Sequence, residues 1–88
     1  MEENNLKAVI ESLLFSSEKP LLIEQIRKVL DNLGPEQIRQ SIIELRDEYE
    51  KTNRGFRISE VAGGFVMIAA PMFSSFLRIL ISGASKHI

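Results

Sequence analysis

The stretch 55-GFRISEVAGGFVMIAAP-71 decides the fold. Phe56 and Ile58 alternate with Arg57 and Ser59, the period of a strand with one buried face. In 65-FVMIA-69 the alternation stops and every residue is apolar, which predicts a strand that is central in its sheet or covered on both sides. Between the two, 62-AGG-64 centres a tight reversal, and Gly63 and Gly64 are expected to supply its positive-φ positions. The segment is therefore a β-hairpin.

Upstream the periodicity changes to that of helices. Leu6, Val9, Ile10, Leu13 and Leu14 recur at helical spacing in 6-LKAVIESLLFSS-17, with Asn4 or Asn5 as the expected cap. Pro20 closes that helix. The three residues 21-LLI-23 are too few to stand alone, but they can add a third edge that leaves 65-FVMIA-69 in the middle of the sheet. A short helix follows at 24-EQIRKVL-30, with Ile26, Val29 and Leu30 expected inward. After the turn 31-DNLGP-35, a longer helix spans 36-EQIRQSIIELRDEYEK-51, with Ile38, Ile42, Leu45 and Tyr49 as its buried stripe and Ser41 beside them.

Downstream of the hairpin, Pro71 introduces a last helix, 72-MFSSFLRILI-81. Met72, Phe76, Ile79 and Leu80 form one apolar stripe, expected to pack on the domain itself. Phe73, Leu77 and Ile81 form a second, which predicts a partner. The tail 82-SGASKHI-88 has no pattern and is expected to be flexible, so the domain is placed at 1–81 and the tail at 82–88. Helix, short strand, helix, helix, strand, turn, strand, helix is the order of an α+β winged-helix domain with a small antiparallel sheet.

Composition narrows the function. Eighty-eight residues hold one domain, and the absence of cysteine removes disulfides and thiolate-bound metals. The single histidine, His87, cannot build a metal site alone, and no cofactor motif is present. No apolar run reaches the ~20 residues of a membrane span, and 1-MEENNLK-7 is acidic where a signal peptide is basic, so a cytoplasmic protein is expected. Carboxylates fall on exposed helical faces and no serine has a histidine near it in sequence, so no enzyme is expected.

Sequence-specific DNA binding is not expected either. Helix 36–51 would enter the major groove, yet it carries Glu36, Glu44, Asp47, Glu48 and Glu50 against Arg39, Arg46 and Lys51. Gln37 and Gln40 are read as surface amides rather than adenine contacts. Arg54 and Arg57 in the wing suffice for a weak phosphate contact or two. Tyr49 reads as core. Phe65, near the wing tip, is a candidate for coverage by a partner.

The segments 6-LKAVIESLLFSSEKPL-21, 36-EQIRQSIIELRDEYE-50 and above all 54-RGFRISEVAGGFVMIAAPMF-73 resemble the N-terminal winged helix of the segregation and condensation protein B family. Arg54, Gly55, Glu60, Val61, Ala62, Gly63, Gly64 and Phe65 match its hairpin pattern in order. The resemblance covers roughly residues 6 to 80. It implies a first domain of two in tandem, a homodimer, and binding to the kleisin subunit (segregation and condensation protein A) and through it to the SMC ATPase of chromosome condensation. A non-catalytic scaffold at the nucleoid is the reading it supports; a DNA-binding winged-helix regulator is the alternative.

Overall fold

A computed structural model describes residues 3–86, with burial described for 5–82. Helix α1 (Glu3–Ser16), α2 (Ile23–Val29) and α3 (Pro35–Lys51) precede strands β1 (Phe56–Val61) and β2 (Gly64–Ala69). A 3-10 turn at Pro71–Phe73 then leads into α4 (Ser74–Lys86). The first helix begins earlier than its apolar pattern does, so Asn4 and Asn5 lie in its first turn instead of capping it.

The core forms where the helical stripes meet the inner face of the hairpin. Leu6, Ile10 and Leu14 of α1 interlock with Ile26 and Leu30 around α2 and with Ile38, Ile42, Leu45 and Tyr49 of α3. Each fully buried aliphatic side chain contributes about 1.5–3 kcal/mol of transfer free energy. Ser41 sits in the same stripe and donates its hydroxyl to the Gln37 carbonyl at 3.1 Å, so its burial leaves nothing unpaired. Val29 departs from expectation. It is exposed, because α2 ends there and its inward face is taken by Ile23, Ile26 and the following Leu30.

Helix ends are fixed by local chemistry. Leu22 offers no side-chain acceptor at the start of α2, so only half of a capping box forms: Gln25 Oε1 accepts from the Leu22 N–H at 2.8 Å. At the end of α3, Asn53 takes a left-handed φ of 55°. The Asn53 N–H then donates to Glu50 and the Arg54 N–H to Tyr49, the pairing of a Schellman motif. That reversal aims the chain into the hairpin.

The hairpin is antiparallel, with Phe56 opposite Ala69 and Val61 opposite Gly64. Its inner face carries Phe56, Ile58, Phe65 and Met67. Leu21 adds the third edge as a single antiparallel bridge to Phe65, exchanging N–H···O bonds of 2.8 and 2.9 Å. β2 thus lies between β1 and Leu21, but only at its Phe65 end. Its far half is not covered on both faces as the apolar run implied: Ile68 and Ala69 are exposed. α4 makes its main contacts with the 3-10 turn rather than with the sheet.

The turn also differs in phase from expectation. Its two positive-φ residues are Ala62 (52°) and Gly63 (80°), not the two glycines. Gly64 is the first strand residue and is needed for a different reason. A Cβ there would lie 3.0 Å from Pro20 Cβ and 3.1–3.2 Å from the backbone carbons of Pro20 and Leu21. The consequence is separable by mutation. Gly63→Val meets no neighbour and is expected to cost the backbone strain alone, about 1–2 kcal/mol. Gly64→Val pushes the Leu21 edge off Phe65 and is expected to cost more. Thermal melts check this, and a Gly64→Val melt at or above that of Gly63→Val contradicts it.

Helix α4 shows the largest difference from the sequence reading. Met72, Phe76, Ile79 and Leu80, expected to complete the domain's own core, are all exposed, as is Ile81. The helix packs chiefly on the 3-10 turn that introduces it. It also runs through Lys86, so the expected patternless tail is helical over most of its length. His87 lies outside the described residues.

Candidate protein-interaction surfaces

Two apolar surfaces remain once the core is complete. The first is α4, where Phe76, Leu77, Ile79, Leu80 and Ile81 are between 40% and 70% exposed. Phe73 is half-buried at its root. The predicted interface residues Phe73, Leu77 and Ile81 therefore share this helix and its lead-in turn with Met72, Phe76, Ile79 and Leu80, whose spacing predicts a core stripe. The second surface is a groove of about 550 Å³ between the end of α1 and the hairpin. Leu14, Phe15, Phe56, Met67 and Ile68 form its apolar part and Glu11, Ser12 and Ser17 its polar part. Phe15, 79% exposed, is its most prominent side chain.

Phe65, expected near the exposed wing tip, packs into the core of the chain instead. It is 1% exposed and sits among the core side chains at the Leu21 bridge. The Arg39 guanidinium lies 5.5 Å above its ring and 3.7 Å from Glu60. These contacts tie α3 to the wing and occupy one of the three bases on the helix that would face DNA.

Other charges near α3 are similarly committed. Lys7 reaches Glu44 at 3.0 Å and Glu48 at 3.1 Å, joining α1 to α3. Its hydrogen bond to Glu44, then that to Glu48, raises the Lys7 pKa above the ordinary lysine value. The same bond from Lys7, helped by one from Gln40, holds the Glu44 carboxyl below its ordinary range. Gln40 is thereby engaged with Glu44 at 3.2 Å. In the wing, Arg57 turns back onto its own backbone, donating to the carbonyls of Arg54 and Phe56, while Arg54 is exposed. No basic stripe results.

Tyr49 stacks edge-on against Phe56, with ring centroids 4.6 Å apart, and donates its hydroxyl to the Glu11 carboxylate. Burial first, and then the neighbouring Glu11, pushes its pKa well above the ordinary tyrosine value, so it stays protonated and structural. Among the described residues, no group of three or more His, Cys, Asp or Glu side chains is placed to hold a metal ion. No described helix is long and apolar enough to cross a membrane.

Three helices, the third of them acidic, and a wing define a winged-helix domain, with α4 added after the wing and two apolar surfaces left exposed. Residues 8–87 match the family described as segregation and condensation complex subunit ScpB. The chain belongs to that family. It is 37% identical over 83 residues to the segregation and condensation protein B homolog of Coxiella burnetii, covering 91% of this chain and 39% of that protein. The chain spans about 40% of the length of the curated relatives it matches. A crystal structure described as a dimer of the ScpB N-terminal domain complexed with ScpA peptide is similar at TM-score 0.80 and 27% identity, covering 88% of this chain and 95% of that one. The fold is shared as well with ScpB from Mycobacterium tuberculosis, at TM-score 0.86 and 19% identity over 96% of this chain and 52% of that one.

Proposed function

We propose that the chain is a non-catalytic scaffold of a bacterial SMC–kleisin complex. It pairs with a second copy and engages the kleisin subunit, through which it bears on the SMC ATPase in the cytoplasm at the nucleoid. The observation that carries this reading is α4, an apolar helix left exposed by a domain whose core is otherwise closed. A soluble domain of this size rarely displays such a helix unless something binds it. Family membership gives the setting, and the similar dimer with its ScpA peptide shows what a nearly coextensive relative assembles with.

Titration of the chain with the kleisin from the same genome, followed by isothermal calorimetry, tests the partner. Saturable binding with a negative heat-capacity change is expected, the sign of apolar burial. Absence of any heat at high micromolar concentration, with both proteins folded, contradicts it. DNA is expected to be a poor ligand. Fluorescence anisotropy against a random duplex pool should enrich no motif, leaving weak association through Arg54 that fades with salt. One enriched motif with submicromolar affinity at physiological salt overturns that expectation.

A further inference from the structure

We propose that the edge of β2 along Met67–Ala69 takes an extended segment of another protein as an added strand, with alternate side chains entering the groove beside Phe15. Such a site goes beyond the scaffold role proposed above and needs neither α4 nor self-association.

The phase of the backbone identifies the open groups. Residues in an antiparallel pair alternate between exchanging N–H···O bonds with the neighbouring strand and pointing those groups outward. Phe65 exchanges its bonds with Leu21, at 2.9 and 2.8 Å, and so points away from β1. At the other end, the Ala70 N–H turns in to the Gly55 carbonyl at 2.8 Å. Both ends set the same phase. Val66 and Ile68 face β1, while Met67 and Ala69 point their N–H and C=O groups outward, on the side of Leu21. The bridge there is a single residue long, and no backbone group among the described residues meets those of Met67 and Ala69.

These two donors and two acceptors border the groove of about 550 Å³, which Met67 and Ile68 line from β2 and Leu14 and Phe15 from α1. A docked helix keeps its backbone bonds to itself and would leave all four groups unpaired. An extended chain pairs them and turns every second side chain toward the groove. Open edges are commonly blunted by a charge, a proline or a bulge. The run Phe65–Ala69 has no charge and no proline, and its register against β1 is unbroken. Glu11 is the one charged residue lining the groove, so the occupant that fits is an apolar strand with a basic flank.

The probe is a fluorescein-labelled hexapeptide with valine and threonine alternating behind one arginine. Fluorescence anisotropy is expected to show saturable binding that Phe15→Ala weakens at least tenfold. Methylating alternate amide nitrogens gives two further peptides, one for each phase of the strand. One is expected to bind at least tenfold more weakly and the other nearly as well as the parent, because only every second amide of an added strand faces β2. Equal loss in both, or loss in neither, excludes strand pairing and overturns the proposal. Ala69→Pro removes an outward N–H that bonds nothing in the described chain, so it is expected to weaken binding at least tenfold with an unchanged melt. If that variant unfolds, the methylated pair still decides. Absence of saturable binding at millimolar peptide also overturns the proposal. So does an anisotropy that rises and then falls as the chain passes from low to high micromolar concentration, the sign of a second copy taking the groove.

Discussion

Leu77→Asp is expected to abolish the proposed self-association without unfolding the chain. Leu77 is 40% exposed on α4, so the carboxylate stays hydrated in the isolated domain and costs its fold little. Buried in an interface, the same charge has no partner placed for it, and an unpaired buried charge costs several kcal/mol. Each 1.4 kcal/mol weakens association about tenfold, so a loss of 100-fold or more is the expected scale. Size-exclusion chromatography reads the change, and circular dichroism must show an unchanged melt. A variant that remains dimeric at low micromolar concentration removes α4 from the interface.

Phe65→Ala should have the largest effect on the fold itself. The ring is fully buried, bridges β2 to Leu21 through its backbone, and lies under the Arg39 guanidinium. Truncation leaves a cavity where three elements meet, and such changes cost about 3–5 kcal/mol. For a domain of this size each kcal/mol shifts Tm by about 4–8 °C, so a drop of at least 12 °C is expected in a thermal melt. A drop of less than about 4 °C would mean that the wing is held some other way. Phe15→Ala, by contrast, removes an exposed ring and should leave the melt of the monomer nearly unchanged.

Residues whose role follows from local periodicity were readable in the chain. The stripe Ile38, Ser41, Ile42, Leu45 and Tyr49 is buried as its spacing requires, because a long capped helix has one face toward the core. The hairpin was equally plain, and even Leu21–Ile23 declared its attachment, realised as one bridge at Leu21. What periodicity does not encode is which apolar face finds a neighbour. Met72, Phe76, Ile79 and Leu80 have the pattern of a core stripe, but the direction of α4 is set by the turn at Pro71–Phe73, and that turn leads it away from the domain. Phe65 shows the converse: its place beside the turn suggests exposure, and the Leu21 edge covers it.

The glycines illustrate a second limit. Sequence marks 62-AGG-64 as a turn, but glycine serves equally for a positive φ and for a close backbone approach. Only the register, with Val61 opposite Gly64, assigns Gly63 to the first duty and Gly64 to the second. The groove left no sequence signal of its own. Phe15 lies off the Leu6–Ile10–Leu14 stripe, and that single apolar residue on the wrong face was the one available hint.

Sedimentation equilibrium on the unmodified chain, from low to high micromolar concentration, tests most directly the claim that this domain exists to be joined to other proteins through its apolar helix. The account predicts a reversible monomer–dimer equilibrium whose apparent mass rises toward twice 10.0 kDa and whose strength survives high salt, as apolar contacts do and charge pairs do not. A single 10.0 kDa species at every concentration, with α4 folded by circular dichroism, would contradict it.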